Sequence, residues 1–272
     1  MIPDGIIPPV LTPLKGDQEI DTVALRQLLD KLMDGGVHAL FLAGTAGLGA
    51  VITQRQYEKV IETAVTHVSG RIPILAGVLE PSTMRNVERL KMLEGSGVMT
   101  AVVIPPYYCR ARNDAQLLRH FEKMRLATSL ELVLYNIPVC TGTELSVEFI
   151  CDMKKRGWIT ACKDSFGNNG FFADLCEKGR GHGLKVYQGM RPDFRRMEHL
   201  GASGCVPVPA NVFPEYFVDA WNKRKNEKEL TAAQKICDDT WNELVVGSDF
   251  FSKSVKMLCK KGIGTGIMPE PF

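Results

Sequence analysis

The chain has 272 residues, 45% hydrophobic and 24% charged, with a formal net charge of +2. Such a composition supplies a globular core. Near-neutral charge without a long basic stripe argues against a nucleic-acid partner, and no apolar run is long enough to span a membrane as a helix. The opening Met1-Ile2-Pro3-Asp4 does not read as a signal peptide, so a cytoplasmic location is expected. The eight cysteines include no C-x-x-C pair and the five histidines show no ligand spacing. Reduced thiols and no metal site are the expectation.

Strand-like and helix-like segments alternate along the chain. Residues 5–12 predict a first strand, punctuated by proline. Leu25, Leu28, Leu29 and Leu32 form a helical stripe within 21–34, and Gly35-Gly36 stops it. A strand over 39–43 precedes a helix over 53–68 with Thr53 as N-cap. Strands over 72–78 and 101–104 are followed by helices over 82–93, capped by Ser82, and 114–127. The second half repeats the scheme, with strands over 131–135, 159–163, 185–188 and 204–208. Helices are expected over 146–155, 169–177 and 193–200, then about 215–225, 229–246 and 252–260.

Eight strand-then-helix units predict a (β/α)8 barrel over 1–212 and a helical C-terminal extension over 213–272. A doubly wound sheet is the runner-up. The loop Gly44-Thr45-Ala46-Gly47-Leu48-Gly49 lacks both the G-x-G-x-x-G spacing and the Lys-Ser/Thr of a phosphate loop.

In a barrel the residues just after each strand converge on one mouth. Lys163 ends the run Trp158-Ile159-Thr160-Ala161-Cys162. Burial there disfavours an ammonium, and a neutral amine can attack a ketone to form a Schiff base. Tyr135 and Tyr108 follow the fifth and fourth strands, and a phenol can shuttle the protons that forming a carbinolamine requires. A threonine hydroxyl such as that of Thr45 can donate and accept, linking two tyrosines. Backbone N–H groups of the Gly44–Gly47 turn can cradle a carboxylate. Gly189 follows the seventh strand and Val206 belongs to the eighth.

These segments, in order, resemble the pyruvate-dependent class I aldolases that include dihydrodipicolinate synthase, N-acetylneuraminate lyase and 2-keto-3-deoxy sugar-acid aldolases. Gly44-Thr45-Ala46-Gly47 is similar to the family's G-T-T-G loop, and Pro106-Tyr107-Tyr108 to its P-Y-Y segment. Tyr135-Asn136-Ile137-Pro138 with Thr141-Gly142 resembles Y-N-x-P-x-x-T-G, and Lys163-Asp164-Ser165 the Schiff-base segment. The resemblance implies that Lys163 holds pyruvate covalently, without a cofactor, while Tyr135 transfers protons and Thr45 relays to Tyr108. It implies that Tyr108 is lent across a dimer interface of a tetramer. It implies further that Thr45 and Ala46 hold the carboxylate through backbone N–H groups, with Gly189 and Val206 flanking the pocket.

Cys140 departs from the pattern. Dihydrodipicolinate synthase carries an arginine there, facing the carboxylate of aspartate semialdehyde, and a thiol cannot replace that pair. Losing a hydrogen bond to a charged group costs about 1.5–3 kcal/mol. The reading is therefore reversible aldol cleavage of a 2-keto-3-deoxy sugar acid to pyruvate and an aldehyde. Synthase activity is the alternative if Arg110, Arg112 or Arg191 supplies the cation. A non-catalytic keto-acid-binding protein on the same scaffold is another. The end at Phe272 falls near the start of the family's last helix, so the C-terminus reads as short.

Overall fold

The computed structural model describes residues 2–248 and 251–271. Among these, eight parallel strands form one sheet in the order β1-β8-β7-β6-β5-β4-β3-β2. They are β1 (Gly5–Ile6), β2 (Leu40–Leu42), β3 (Ile74–Val78), β4 (Thr100–Val103), β5 (Glu131–Asn136), β6 (Ala161–Asp164), β7 (Lys185–Gln188) and β8 (Gly204–Cys205). The segment after β1 closes the ring. Phe41 N–H donates to Pro8 O at 3.0 Å, and Val10 N–H to Phe41 O at 2.8 Å. The result is the expected (β/α)8 barrel.

Alternation sorts the side chains, because neighbouring strand residues face opposite ways. Phe41, Leu75, Val102, Val133, Tyr135, Ala161 and Tyr187 pack together inside the barrel. Leu40, Leu42, Ala76, Val103, Leu134, Cys162 and Val186 belong to the outer core, which the helices cover. The helices that follow the strands are α1 (Thr22–Asp34), α2 (Gln54–Val68), α3 (Thr83–Leu93), α4 (Asp114–Leu126), the short α5 (Pro138–Thr141), α6 (Val147–Lys155), α7 (Asn169–Arg180) and α8 (Phe194–Leu200). After a 3-10 turn over Val208–Asn211 come α9 (Pro214–Lys223), α10 (Glu227–Leu244) and α11 (Ser252–Lys260).

Several boundaries differ from expectation. The first strand stops at Ile6 instead of residue 12 because prolines at 8 and 9 cannot donate to a ladder. The eighth stops at Cys205, ahead of Pro207 and Pro209. Thr53 caps α2 in a full capping box with Gln56, whereas Ser82 occupies the N-cap of α3 without a side-chain bond. The helix α5 arises where the sequence reads as a loop. Pro138 starts it, and Gly142 ends it in the left-handed conformation.

Candidate active site

Strands β5 and β6 set the centre. Their register places Tyr135 beside Lys163 and Asn136 beside Asp164. Equal parity sends the first pair inward and the second pair outward. Lys163 is only 5% exposed. Its Nζ lies 3.8 Å from the Tyr135 ring centroid and 5.1 Å from that of Phe41. The two rings meet edge to face, 6.4 Å apart. Among the described residues Lys163 makes no ion pair with a carboxylate. Aromatic faces alone compensate a charge there, worth about 0.5–2 kcal/mol. The amine is thus held by packing rather than by a counter-ion.

Gly189 leaves room for it. A Cβ at that position would overlap Ser165 Oγ and stand 3.0 Å from Lys163 Cε. Val206 is buried in the same interior cluster as Tyr135. Its N–H donates to Gln188 O at 2.8 Å.

The loop after β2 is pinned from three sides. Thr12 Oγ1 donates to Gly47 O at 2.7 Å. Gly49 and Gly77 both press on Ala43 O, where no Cβ would fit. Arg89 Nη1 donates to Gly49 O at 2.8 Å. Two bonds close the turn, Leu48 N–H to Thr45 O and Gly49 N–H to Gly44 O. Neither uses the N–H groups of Thr45 or Ala46.

Behind that loop lies a buried ion pair. Glu80 Oε1 meets Arg89 Nη2 at 2.5 Å, with side chains 6% and 2% exposed, and the Arg89 guanidinium stacks 4.1 Å above Tyr57. Arg85 reaches the other Glu80 oxygen at 2.5 Å. Sequence reading missed this network. A charged residue on the apolar stripe of α3, beside Leu90 and Leu93, was the available signal.

A cavity of about 270 Å³ opens beside the barrel interior. Val51, Leu79, Ile104 and Ile137 give it apolar walls. Its polar groups come from Thr45, Tyr107 and Cys140. Leu79, Ile104 and Ile137 belong to the interior cluster that contains Tyr135. Cys140 is exposed by surface area in the single chain, yet the cavity walls desolvate its thiol enough to raise it above its ordinary pKa, and the nearby Lys163 charge opposes that rise. Tyr108 is 87% exposed in the single chain, so Tyr107 is the tyrosine of that pair at the cavity.

None of the arginines considered as a replacement cation lines this cavity. Arg110 Nη1 donates to Gly142 O at 2.9 Å. Arg191 pairs with Asp238 at 2.9 Å. Arg112 is exposed ahead of α4.

On the outer face of the same strands, Asp164 is 1% exposed and accepts from Asn136 Nδ2 at 2.7 Å. Burial lifts its carboxyl from 3.8 to about 6, against the hydrogen bonds from Asn136 and Phe166 N–H. It lines a larger polar cavity of about 880 Å³ together with Gln188, Arg191, Gln234 and Asp238. Asn136 and Asp164 follow Tyr135 and Lys163 at the same offset, which was the signal in the sequence for a second, outward pair.

Among the described residues no group of three or more His, Cys, Asp or Glu side chains is placed to hold a metal ion, and no helix is long and apolar enough to cross a membrane.

Residues 2–262 match the Dihydrodipicolinate synthetase family. A 4-hydroxy-tetrahydrodipicolinate synthase of Exiguobacterium sibiricum is 30% identical over 228 residues, covering 84% of this chain and 77% of that protein. The solved dihydrodipicolinate synthase of Bacteroides thetaiotaomicron superposes with a TM-score of 0.91 at 28% identity, over 99% of this chain and 92% of that one. YagE of E. coli K12, solved in complex with pyruvate, superposes with a TM-score of 0.92 over 99% of this chain and 92% of that one. At 22% identity this last likeness speaks for the fold alone.

Proposed function

The chain belongs to the dihydrodipicolinate synthetase family, whose members are carbon–carbon lyases and synthases, and on that premise we propose that it is a pyruvate-dependent class I aldolase. It cleaves a 4-hydroxy-2-keto-3-deoxy acid reversibly to pyruvate and an aldehyde. One observation carries the reading: a buried amine without a carboxylate partner, at the carboxyl end of β6, directly beside a tyrosine on β5. Barrel enzymes place their chemistry at this end of the strands.

In this reading Lys163 attacks the ketone and the carbinolamine loses water to give an iminium. Tyr135 moves the protons that these steps require. The N–H groups of Thr45 and Ala46, which make no hydrogen bond among the described residues, hold the keto acid's carboxylate, and Gly189 and Val206 bound the space around the covalent adduct. The iminium is the electron sink, so no cofactor is needed. Thr45 passes protons to Tyr108 of a second copy. The exposure of Tyr108 and Val139, each 87%, supports an oligomer that covers this apolar edge. A tetramer is the assembly expected, in the cytoplasm.

The relatives named 4-hydroxy-tetrahydrodipicolinate synthase favour a second reading, condensation of pyruvate with aspartate semialdehyde. That substrate brings a carboxylate, and among the described residues no arginine or lysine lines the cavity at Cys140. An unpaired carboxylate there is costly to desolvate. Aldol cleavage is therefore preferred.

The test needs no aldehyde. Pyruvate in D2O should exchange its methyl protons through the iminium–enamine equilibrium, read by proton NMR. Loss of exchange in Lys163→Met supports the reading. Equal exchange by wild type and Lys163→Met, or none by wild type, refutes it.

A further inference from the structure

The walls of the cavity at Thr45 and Cys140, close enough to Lys163 for its charge to act on the Cys140 thiol, say what kind of aldehyde it takes. Four apolar side chains, Val51, Leu79, Ile104 and Ile137, come from four separate segments of the chain and meet there. Three of them are buried in the barrel's interior cluster, so they are fixed by packing and cannot turn away to admit a polar chain. Against them stand three polar groups. The Tyr107 hydroxyl is oriented toward Leu79 O at 3.4 Å. Thr45 is assigned to the proton relay in the aldolase reading. Cys140 offers only a weakly donating thiol. Among the described residues nothing charged lines the space.

A polyhydroxylated acceptor has several hydroxyls to satisfy, and each hydroxyl buried without a partner costs free energy. An acceptor carboxylate fares worse. An alkyl or aryl group instead gains from every methylene removed from water. From this lining we infer that the acceptor is an aldehyde with an uncharged, apolar body, so that the cleavable substrate is a 4-hydroxy-2-keto acid bearing an alkyl or aryl group at C4. The inference rests on the aldolase reading and narrows it away from sugar acids.

The chemistry balances without any further reactant. In the condensing direction, C3 of the Lys163-bound enamine forms a carbon–carbon bond to the aldehyde carbon. The carbonyl π pair moves to oxygen, which takes a proton and becomes the C4 hydroxyl. Water then hydrolyses the iminium and frees Lys163. Cleavage reverses each step.

The experiment uses the wild-type chain, pyruvate and two sets of aldehydes. The first is the linear series from acetaldehyde to pentanal, with benzaldehyde. The second holds glyceraldehyde and aspartate semialdehyde. Condensation is followed as kcat/KM for the aldehyde, with methyl deuterium exchange run in parallel. The expected result is a rise of about fourfold per buried methylene, the value of ~0.8 kcal/mol each, until the cavity is filled; it measures about 270 Å³ in the single chain and is smaller where Tyr108 of a second copy reaches Thr45. Glyceraldehyde and aspartate semialdehyde should fall below butanal. Cys140→Arg, at an exposed position, should lift aspartate semialdehyde relative to pentanal. A flat or falling series, or a preference for glyceraldehyde or aspartate semialdehyde, overturns the inference while exchange still upholds the aldolase. Absent exchange removes the aldolase reading itself.

Discussion

Asp164→Asn gives a clean test of the electrostatics behind Lys163. The wild-type carboxyl titrates near 6 in the fold, against 3.8 in the open chain, because burial disfavours its charge. A group whose folded pKa is raised holds its stabilising effect below the unfolded value and loses it as pH climbs through the folded value. The gap converts to ~3 kcal/mol at 1.36 kcal/mol per pH unit. Asparagine keeps an oxygen to accept from Asn136 and Phe166 but carries no charge. Relative to wild type, the variant should therefore gain ~2–3 kcal/mol between pH 4 and pH 8. Wild type alone would hide this. His120 is 3% exposed and its pKa is lowered from 6.5 to about 4 by burial. Its contribution is full above 6.5 and lost as pH falls toward 4, so it runs opposite to that of Asp164 by a similar ~3 kcal/mol. Subtracting the two unfolding curves, measured in urea at each pH, cancels His120. A pH-independent difference, or one that grows toward low pH, refutes the assignment of a desolvated carboxyl.

Three further outcomes follow from named contacts. Arg89→Met leaves Glu80 buried with Arg85 as its remaining ion-pair partner and frees Gly49 O; a loss of ~3 kcal/mol in urea unfolding is expected, at the low end for a broken buried pair, and a loss below ~1 kcal/mol would contradict it. Gly189→Ala forces atoms onto Ser165 Oγ and Lys163 Cε; methyl exchange should fall more than about tenfold with the fold intact by circular dichroism, since a small displacement of a reacting group costs ~10²-fold. Tyr135→Phe keeps the ring under Lys163 and removes the phenol; exchange should slow by ~10²–10⁴, the usual range for a lost acid–base group, and an unchanged rate would take Tyr135 out of the proton path.

The barrel was legible because buried parallel strands leave apolar runs that turns and helical stripes separate. The first and last strands were overread, since Pro8, Pro9, Pro207 and Pro209 sit in apolar runs that cannot complete a ladder. Pro138 and Gly142 were available as helix punctuation around α5, but four residues are too few for a periodic stripe. Lys163 and Tyr135 stood out by their place at strand ends. Phe41 did not, because an inward phenylalanine reads as ordinary core until the closed ring sets it beside Lys163. The apolar cavity had no sequence signal either, as Val51, Leu79, Ile104 and Ile137 share no local pattern.

The most direct test is covalent. The protein is incubated with pyruvate and borohydride, digested, and its peptides are read by mass spectrometry. The account predicts one reduced pyruvoyl adduct, on Lys163, that vanishes in Lys163→Met. An adduct on another lysine, or none with active protein, would contradict it.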